Sequence, residues 1–170
     1  MSEIKDILTL DDVKKLVDVF YGKVRENDML APVFNERIQN RWPEHLEKMY
    51  TFWQTLLLDE HTYFGSPFPP HAQLPVNHAH FEQWMQLFTQ TVDELFSGEK
   101  AGEAKWRAGK MAEMFEYKIE YYKKRGFKNS LRNGGIATSL HLLHLAAERI
   151  KVALFFSGRC ADRVCAAQKF

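Results

Sequence analysis

The sequence predicts an all-α fold, and three observations support that prediction. Apolar residues recur at helical spacing in four stretches of the chain, and strand-like alternation over several residues is hard to find. The length of 170 residues suits one domain with a single core. Hydrophobic residues make up 45% of the chain and aromatic residues 14%, which favours a folded globule with much buried ring area.

The first predicted helix starts at a cap, Thr9 or Asp11, and runs to about Asn27. The apolar stripe along it is typical of a helix with one buried face. Its members are Val13, Leu16, Val17, Phe20, Tyr21 and Val24. We expect the pair Ala31-Pro32 to end this helix, because proline disrupts a helix interior.

The second predicted helix begins at Pro43, since proline is favoured in a first helical position, and breaks near Asp59. Its apolar face comprises Leu46, Met49, Tyr50, Trp53, Leu56 and Leu57. His45 lies on the edge of that face, one turn before Met49. A histidine at such an edge commonly faces solvent.

Two further helices complete the predicted core of four. The third spans about residues 78–96 and ends at Ser97-Gly98; the fourth spans about residues 103–124. The inward residues of the third are Phe81, Trp84, Met85, Phe88, Val92 and Leu95. Those of the fourth are Met111, Met114, Phe115, Ile119 and Tyr122.

A proline-rich segment, residues 63–75, joins the second and third helices. Its prolines leave room for at most one helical turn around His71, because each lacks a backbone donor and restricts the residue before it. A stiff backbone suits a side chain that must be aimed accurately. Taken alone, however, the segment favours a solvent-exposed histidine.

Charge divides the chain into two compositional regions. The net charge is only +1, so no global field would steer the protein toward nucleic acid. Residues 1–120 hold 13 basic and 20 acidic side chains, whereas residues 121–170 hold 10 basic and 2 acidic ones. The C-terminal region is therefore expected to be separate from the core.

Neither a secretory signal nor a membrane span is expected. The first twenty residues are too charged for a signal sequence, and no stretch of 18 apolar residues occurs. We therefore expect a cytoplasmic protein. Its two cysteines, Cys160 and Cys165, lie near the end of the chain and are interpreted as free thiols.

The order of several segments resembles that of the truncated haemoglobins. The first is Phe20-Tyr-Gly-Lys-Val-Arg-Glu-Asn-Asp28, followed by Pro32-Val-Phe-Asn35, Trp42-Pro-Glu-His-Leu-Glu-Lys-Met49 and Phe52-Trp53. Then come Gly65-Ser-Pro-Phe-Pro-Pro-His-Ala-Gln-Leu-Pro75 and His80-Phe-Glu-Gln-Trp-Met-Gln-Leu-Phe88, which resemble the third group of that family. The resemblance covers about residues 8–124, and its strength lies in the joint order of the segments.

The resemblance implies a globin-like two-over-two helical sandwich that holds haem b. Residues 1–125 would form this haem domain, with His71 in the place of the proximal iron ligand. A neutral imidazole binds ferrous iron and leaves it pentacoordinate, with the sixth position open to a ligand. Other cofactor-binding residues would be Phe34, Met49, Phe52, Trp53 and Phe88.

Three residues match the distal, ligand-binding positions of the family: Tyr21, His45 and Trp84. Each can donate a hydrogen bond, which favours dioxygen with partial negative charge on its outer atom over carbon monoxide. Spacing alone favours packing roles for Tyr21 and Trp84, and Trp84 keeps a mainly packing interpretation even with the match. His78 and His80 are interpreted as surface residues in preference to contacts of a haem propionate, and His61, His141 and His144 receive no role.

The resemblance says nothing about the extension of residues 126–170. Asn133-Gly-Gly135 predicts a turn, and residues 136–156 then predict a helix with an apolar face. Glu148, Arg149 and Lys151 interrupt that face, so we do not expect it to span a membrane. A basic, apolar helix that lies on a membrane or covers a partner is the less favoured alternative. Docking on the globin, or the absence of any evolved role, is the favoured interpretation.

The sequence leaves three classes of function open. The first is binding of dioxygen or another diatomic gas, and we rank it above a haem-dependent redox enzyme of the peroxidase or nitric oxide dioxygenase type. Such an enzyme would need a separate reductase, because no flavin or nicotinamide motif is found. The third class is a helical interaction or sensor module without haem.

Overall fold

A computed structural model describes residues 5–125, and this part of the chain is helical throughout its regular structure. The helices are α1 (Leu10–Glu26), α2 (Ala31–Ile38), α3 (Trp42–Leu57), α4 (His78–Leu95) and α5 (Glu99–Arg125). A single 3-10 turn, Pro69–His71, lies between α3 and α4. The predicted all-α class is confirmed for these residues. The predicted turn at Asn133 and helix at residues 136–156, together with His141, His144 and both cysteines, lie outside them.

The helix predictions for α1, α3 and α4 hold to within one residue or two. Thr9 is the cap of α1: its hydroxyl accepts a hydrogen bond from the Asp12 backbone N–H, and the Asp12 carboxylate accepts one from the Thr9 N–H in return. α5 begins at Glu99, four residues earlier than the predicted start at Glu103. Alanine and glutamate favour helix, and they extend α5 over residues 99–104. This first stretch has no bulky apolar residue, so the apolar pattern does not reveal it.

The predicted core of four helices misses α2. Pro32 does follow the end of α1, but it lies in the first turn of a new eight-residue helix. The link is short because the Asn27 side-chain oxygen accepts hydrogen bonds from the N–H groups of Met29 and Leu30. Proline disrupts the interior of a helix but is compatible with its first turn. Pro32 therefore cannot continue α1, yet it fits the start of α2.

The helices pack as two pairs, one over the other. α1 packs on α3 and α4 packs on α5, while contacts between α1 and α4 and between α3 and α5 join the pairs. α2 packs on α1 at one side. Fully buried residues at the crossing include Leu16, Phe20, Leu56, Phe88 and Val92. This arrangement is the two-over-two sandwich that the family resemblance implies.

The N-terminal segment is fixed to the start of α5. The Asp6 carboxylate accepts hydrogen bonds from the backbone N–H groups of Lys100 and Ala101, and the Ser97 N–H donates to the Lys5 carbonyl. Gly98 makes this approach feasible: its φ is +142°, and a Cβ there would lie 2.4 Å from the Asp6 carboxyl carbon. None of the helices within residues 5–125 is long and apolar enough to cross a membrane.

Candidate functional site

The sandwich encloses a cavity between its helix pairs. Its empty volume is about 930 Å³, including the space at the open mouth. All five helices, or the residues directly before them, contribute to the walls, and the loop around residues 67–76 supplies the rest. The lining is overwhelmingly apolar, with a few polar side chains among aromatic and aliphatic ones. Such a cavity suits a large, flat, mostly apolar ligand.

His71 reaches the cavity from the 3-10 turn between α3 and α4. Its Nδ1 lies 2.7 Å from the carbonyl oxygen of Pro67, and because a carbonyl can only accept, Nδ1 carries the proton. The Nε2 lone pair is then left for a ligand bond. The His71 ring packs against Phe115 of α5, with ring centroids 4.8 Å apart, which fixes its orientation.

The surroundings of His71 favour the neutral imidazole that a metal requires. Burial lowers its pKa below the ordinary 6.5, and the positive charge of Arg37 acts in the same direction, whereas the bond to Pro67 opposes them. A metal-binding histidine typically donates its second ring N–H to a backbone carbonyl, which selects the tautomer and orients the ring. The Pro67 carbonyl meets that requirement.

Tyr21 of α1 and His45 of α3 meet at another wall of the cavity. Their ring centroids are 5.0 Å apart and the rings are perpendicular. Tyr21 is only 6% exposed, and burial raises its pKa well above 10, so its phenol keeps its proton and remains a donor. Phe34 and Trp42 pack edge-on against the Tyr21 ring and hold it in place.

The Nε2 atom of His45 is buried and forms no hydrogen bond with any described residue. Burial, with smaller contributions from His71 and Lys48, lowers the pKa of His45 to about 4. The ring is therefore neutral at physiological pH. An orphaned polar atom inside a cavity lacks a partner that native structures normally supply, which indicates that a bound molecule supplies it.

Trp84 of α4 lines the same cavity, one turn after His80. Its indole stacks on Phe88, with centroids 5.3 Å apart and an angle of 5° between the rings, and meets Phe20 edge-on at 5.3 Å. These contacts agree with the packing role favoured from its spacing. The indole nevertheless also lines the cavity.

Comparison with known proteins identifies the family. A sequence profile of bacterial-like globins matches residues 6–118. A group 3 truncated hemoglobin of Campylobacter jejuni is 31% identical over 121 residues, which cover 69% of this chain and 95% of the relative. The crystal structure of a group III truncated hemoglobin from Campylobacter jejuni superposes with a TM-score of 0.61 at 32% identity, covering 66% of this chain and 91% of that one.

The chain belongs to the bacterial-like globin family. As a globin it is a haem-binding protein, and its cofactor carries iron. Globins bind diatomic gases such as oxygen. The residues present fit this cofactor: an apolar cavity, a histidine whose Nδ1 is fixed and whose Nε2 is left for a ligand, and an orphaned buried nitrogen on His45.

Most residues that the resemblance assigned to the cofactor line the globin cavity. These are Phe34, Met49, Phe52 and Trp53, together with His71. Phe88 is placed differently: it is 1% exposed and is not among the residues that line the cavity. The rings of Trp53 and Trp84 stack on it at 5.0 and 5.3 Å, so Phe88 lies one layer behind the wall and supports it.

Several wall residues of the globin were not assigned to the site from the sequence. They are Leu30, Val33, Pro67, Leu74, Val76, His80, Phe81, Met111, Ala112, Phe115 and Ile119. Phe81, Met111, Phe115 and Ile119 belong to inward stripes that the helical period reveals. Leu30, Val33, Leu74 and Val76 come from the start of α2 and from the loop, where no periodic pattern marks a buried face.

The two histidines at the start of α4 differ in placement. His78 is exposed and lies 3.2 Å from the Glu82 carboxylate and 2.8 Å from that of Glu116, so its expected surface position is confirmed. Hydrogen bonding to Glu116 raises the pKa of His78. His80 is half-buried and lines the cavity, which the surface interpretation did not expect.

Proposed function

We propose that this globin holds haem b through His71 and binds dioxygen, or another diatomic gas, beside Tyr21, His45 and Trp84. When bound, haem supplies an iron atom whose sixth position is open to such a gas. The observation that carries the proposal is the His71–Pro67 hydrogen bond of 2.7 Å. It leaves Nε2 as the coordinating atom of a neutral ring that lines an apolar cavity.

The two kinds of polar group divide between different walls. His71 belongs to the wall formed by the loop and α5, where Phe115 contacts it. Tyr21 and His45 belong to the wall formed by α1 and α3. This division supports one ligand of iron on the first wall and hydrogen-bond donors for the gas on the second.

Tyr21 is the principal donor in this proposal. Its phenol is protonated at any physiological pH, and packing by Phe34 and Trp42 leaves little torsional freedom to lose when the bond forms. His45 can donate through Nε2 only in the tautomer that carries a proton there. The absence of a protein partner for this atom supports that assignment.

We further propose that residues 1–125 form the haem domain and that residues 126–170 are not needed for haem binding. The profile match ends at residue 118, and within the described residues 5–125 the last one that lines the cavity is Ile119. All the residues that the proposal gives a role thus precede the extension.

The absorption spectrum of the purified protein, recorded with and without reductant, tests the proposal. We expect a Soret band that moves on reduction and again when oxygen or carbon monoxide is added. His71→Ala should lose the proximal bond, and free imidazole should partly restore the ferrous spectrum. His61→Ala is the matched control, because His61 is exposed and outside the cavity.

Two results would contradict the proposal. An unchanged ferrous spectrum in His71→Ala, with loss of the spectrum in His45→Ala, would exchange the two histidines. No Soret band after reconstitution with haem would favour an interaction module. Turnover of peroxide or nitric oxide with a separate reductase would instead assign the protein to the redox enzymes.

A further inference from the structure

One histidine in the cavity wall has no role in the proposed function. Tyr21, His45 and Trp84 are assigned to the gas, and His71 to iron. His80 is the remaining ionisable side chain that lines the cavity within the described residues. This inference rests on the proposed function, because it concerns the orientation of the cofactor that the function requires.

His80 lies where the cavity meets the surface. It belongs to the first turn of α4, one turn before Trp84, and its neighbours Asn77 and His78 are exposed. Val76, three residues before it in the loop, is 8% exposed and lines the cavity. The His80 side chain therefore bridges the apolar interior and solvent.

One nitrogen of His80 is held and the other is left available. Nδ1 lies 2.7 Å from the side-chain oxygen of Asn77, and the Asn77 backbone N–H donates to it at 3.4 Å. Because Nδ1 accepts from the Asn77 N–H, Nε2 is the ring nitrogen that can donate to another acceptor. Asn77 thereby fixes the orientation of the ring.

An ammonium group also lies at this edge of the cavity. The Lys123 ammonium donates to the Val76 carbonyl at 2.6 Å, and the carboxylate of Glu120 is 3.6 Å from it. The nearby carboxylates of Glu82 and Glu116 are engaged by His78. An ammonium group and the His80 ring therefore both lie beside residues that line the apolar cavity.

We propose that His80, oriented by Asn77, binds a carboxylate of the haem at the mouth of the cavity. Porphyrin carboxylates are the ionised edge of an otherwise apolar molecule, and burying them without partners is costly. They are favoured where the cavity opens and where a charge-assisted hydrogen bond is available. This contact would set which edge of the porphyrin faces α4.

The test compares iron protoporphyrin IX with its dimethyl ester, which lacks the carboxylate charges. Each porphyrin is bound to the full chain, and its release to an excess of a haem-scavenging apoglobin is timed. We expect His80→Leu to release the free acid about tenfold faster, the equivalent of ~1.4 kcal/mol, and to leave release of the ester unchanged. His80→Lys should retain slow release of the acid, because it restores a cation.

His78→Leu is the matched control, since His78 is two residues away and does not line the cavity. It should change neither rate. Equal acceleration of both porphyrins by His80→Leu would assign His80 to packing and overturn the inference. If His80→Leu does not fold, His80→Gln replaces it in the same comparison, because the glutamine side chain is similar in size to histidine and carries no charge.

Further outcomes separate this inference from the proposed function. If the wild-type chain binds neither porphyrin, the proposed function fails. If it binds both and releases them equally, only the carboxylate contact fails. His80-dependent binding of free benzoate to the haem-loaded protein, with equal release of the two porphyrins, would assign the subsite to a different carboxylate.

Discussion

The ring of His45 stands perpendicular to the ring of Tyr21, with their centroids 5.0 Å apart. Each side chain comes from a different helix, α3 and α1, so the contact depends on how these two helices cross. The pair joins a buried phenol to an orphaned imidazole nitrogen. Two potential donors consequently face the same part of the cavity.

Replacing Tyr21 with Phe should speed dissociation of oxygen roughly tenfold or more, with much less effect on carbon monoxide. A hydrogen bond to a partly charged acceptor contributes on the order of 1.5–3 kcal/mol, and each ~1.4 kcal/mol is a tenfold change in rate. Stopped-flow dissociation from the ferrous protein measures both rates. The ring contacts of Tyr21 involve the ring alone, so Phe preserves them.

Trp84→Phe should act in the same direction if its indole also donates, and the double variant tests whether one donor compensates for the other. An oxygen off-rate that stays unchanged in both single variants and in the double variant would contradict the hydrogen-bonded pocket. Ligation of haem by His71 would not be affected by that result.

His45 should make the haem-free protein less stable as the pH falls. The pKa of His45 is about 4 in the folded protein, against 6.5 in an ordinary setting. Between these values the unfolded chain binds a proton that the folded one does not, so the free energy of unfolding falls as the pH drops from 6.5 toward 4. Since part of the ring is exposed, we expect about 1–2 kcal/mol from this residue.

The measurement is urea unfolding of the apoprotein at several pH values between 4 and 7. His71, whose pKa is also lowered, contributes a slope of the same sign in the wild type. His45→Gln should therefore flatten the dependence without abolishing it. An identical slope in the variant would mean that His45 titrates normally in the folded state.

Haem should raise the melting temperature. The cavity is lined by large side chains such as Phe52 and Trp53, and leaving it unfilled forfeits their contacts with a ligand. At a free haem concentration about 1,000 times the dissociation constant, binding adds ~4 kcal/mol, or about 10 °C for a chain of this size. Calorimetry of the apo and haem-loaded protein checks this; equal melting temperatures would place the cofactor outside the core.

Truncation after Lys124 should leave the visible spectrum unchanged. Among residues 5–125, those that line the cavity lie between Tyr21 and Ile119, and the truncation removes none of these. The full-length chain, purified in parallel, is the control for haem content. A truncated chain that is soluble but fails to take up haem would make the extension part of the pocket.

Local patterns in the sequence were enough to predict α1, α3 and α4, but taken alone they favoured a packing role for Tyr21 and solvent exposure for His71. Helical period reports which residues share a face, and prolines 67, 69, 70 and 75 restrict the segment around His71 to one turn. The match in segment order to a known family added the roles. The helix α2 was not predicted, because Pro32 is compatible both with the end of one helix and with the start of another.

Tertiary structure alone decided which residue of a shared stripe reaches the cavity. Trp84 and Phe88 lie one turn apart on α4 and carry the same local signal, yet Phe88 is covered by Trp84 and by Trp53 from another helix. His78 and His80 are two residues apart, and only His80 lines the cavity. The periodicity of apolar residues within one helix cannot specify these differences, because they depend on which side chains of a neighbouring helix pack against it.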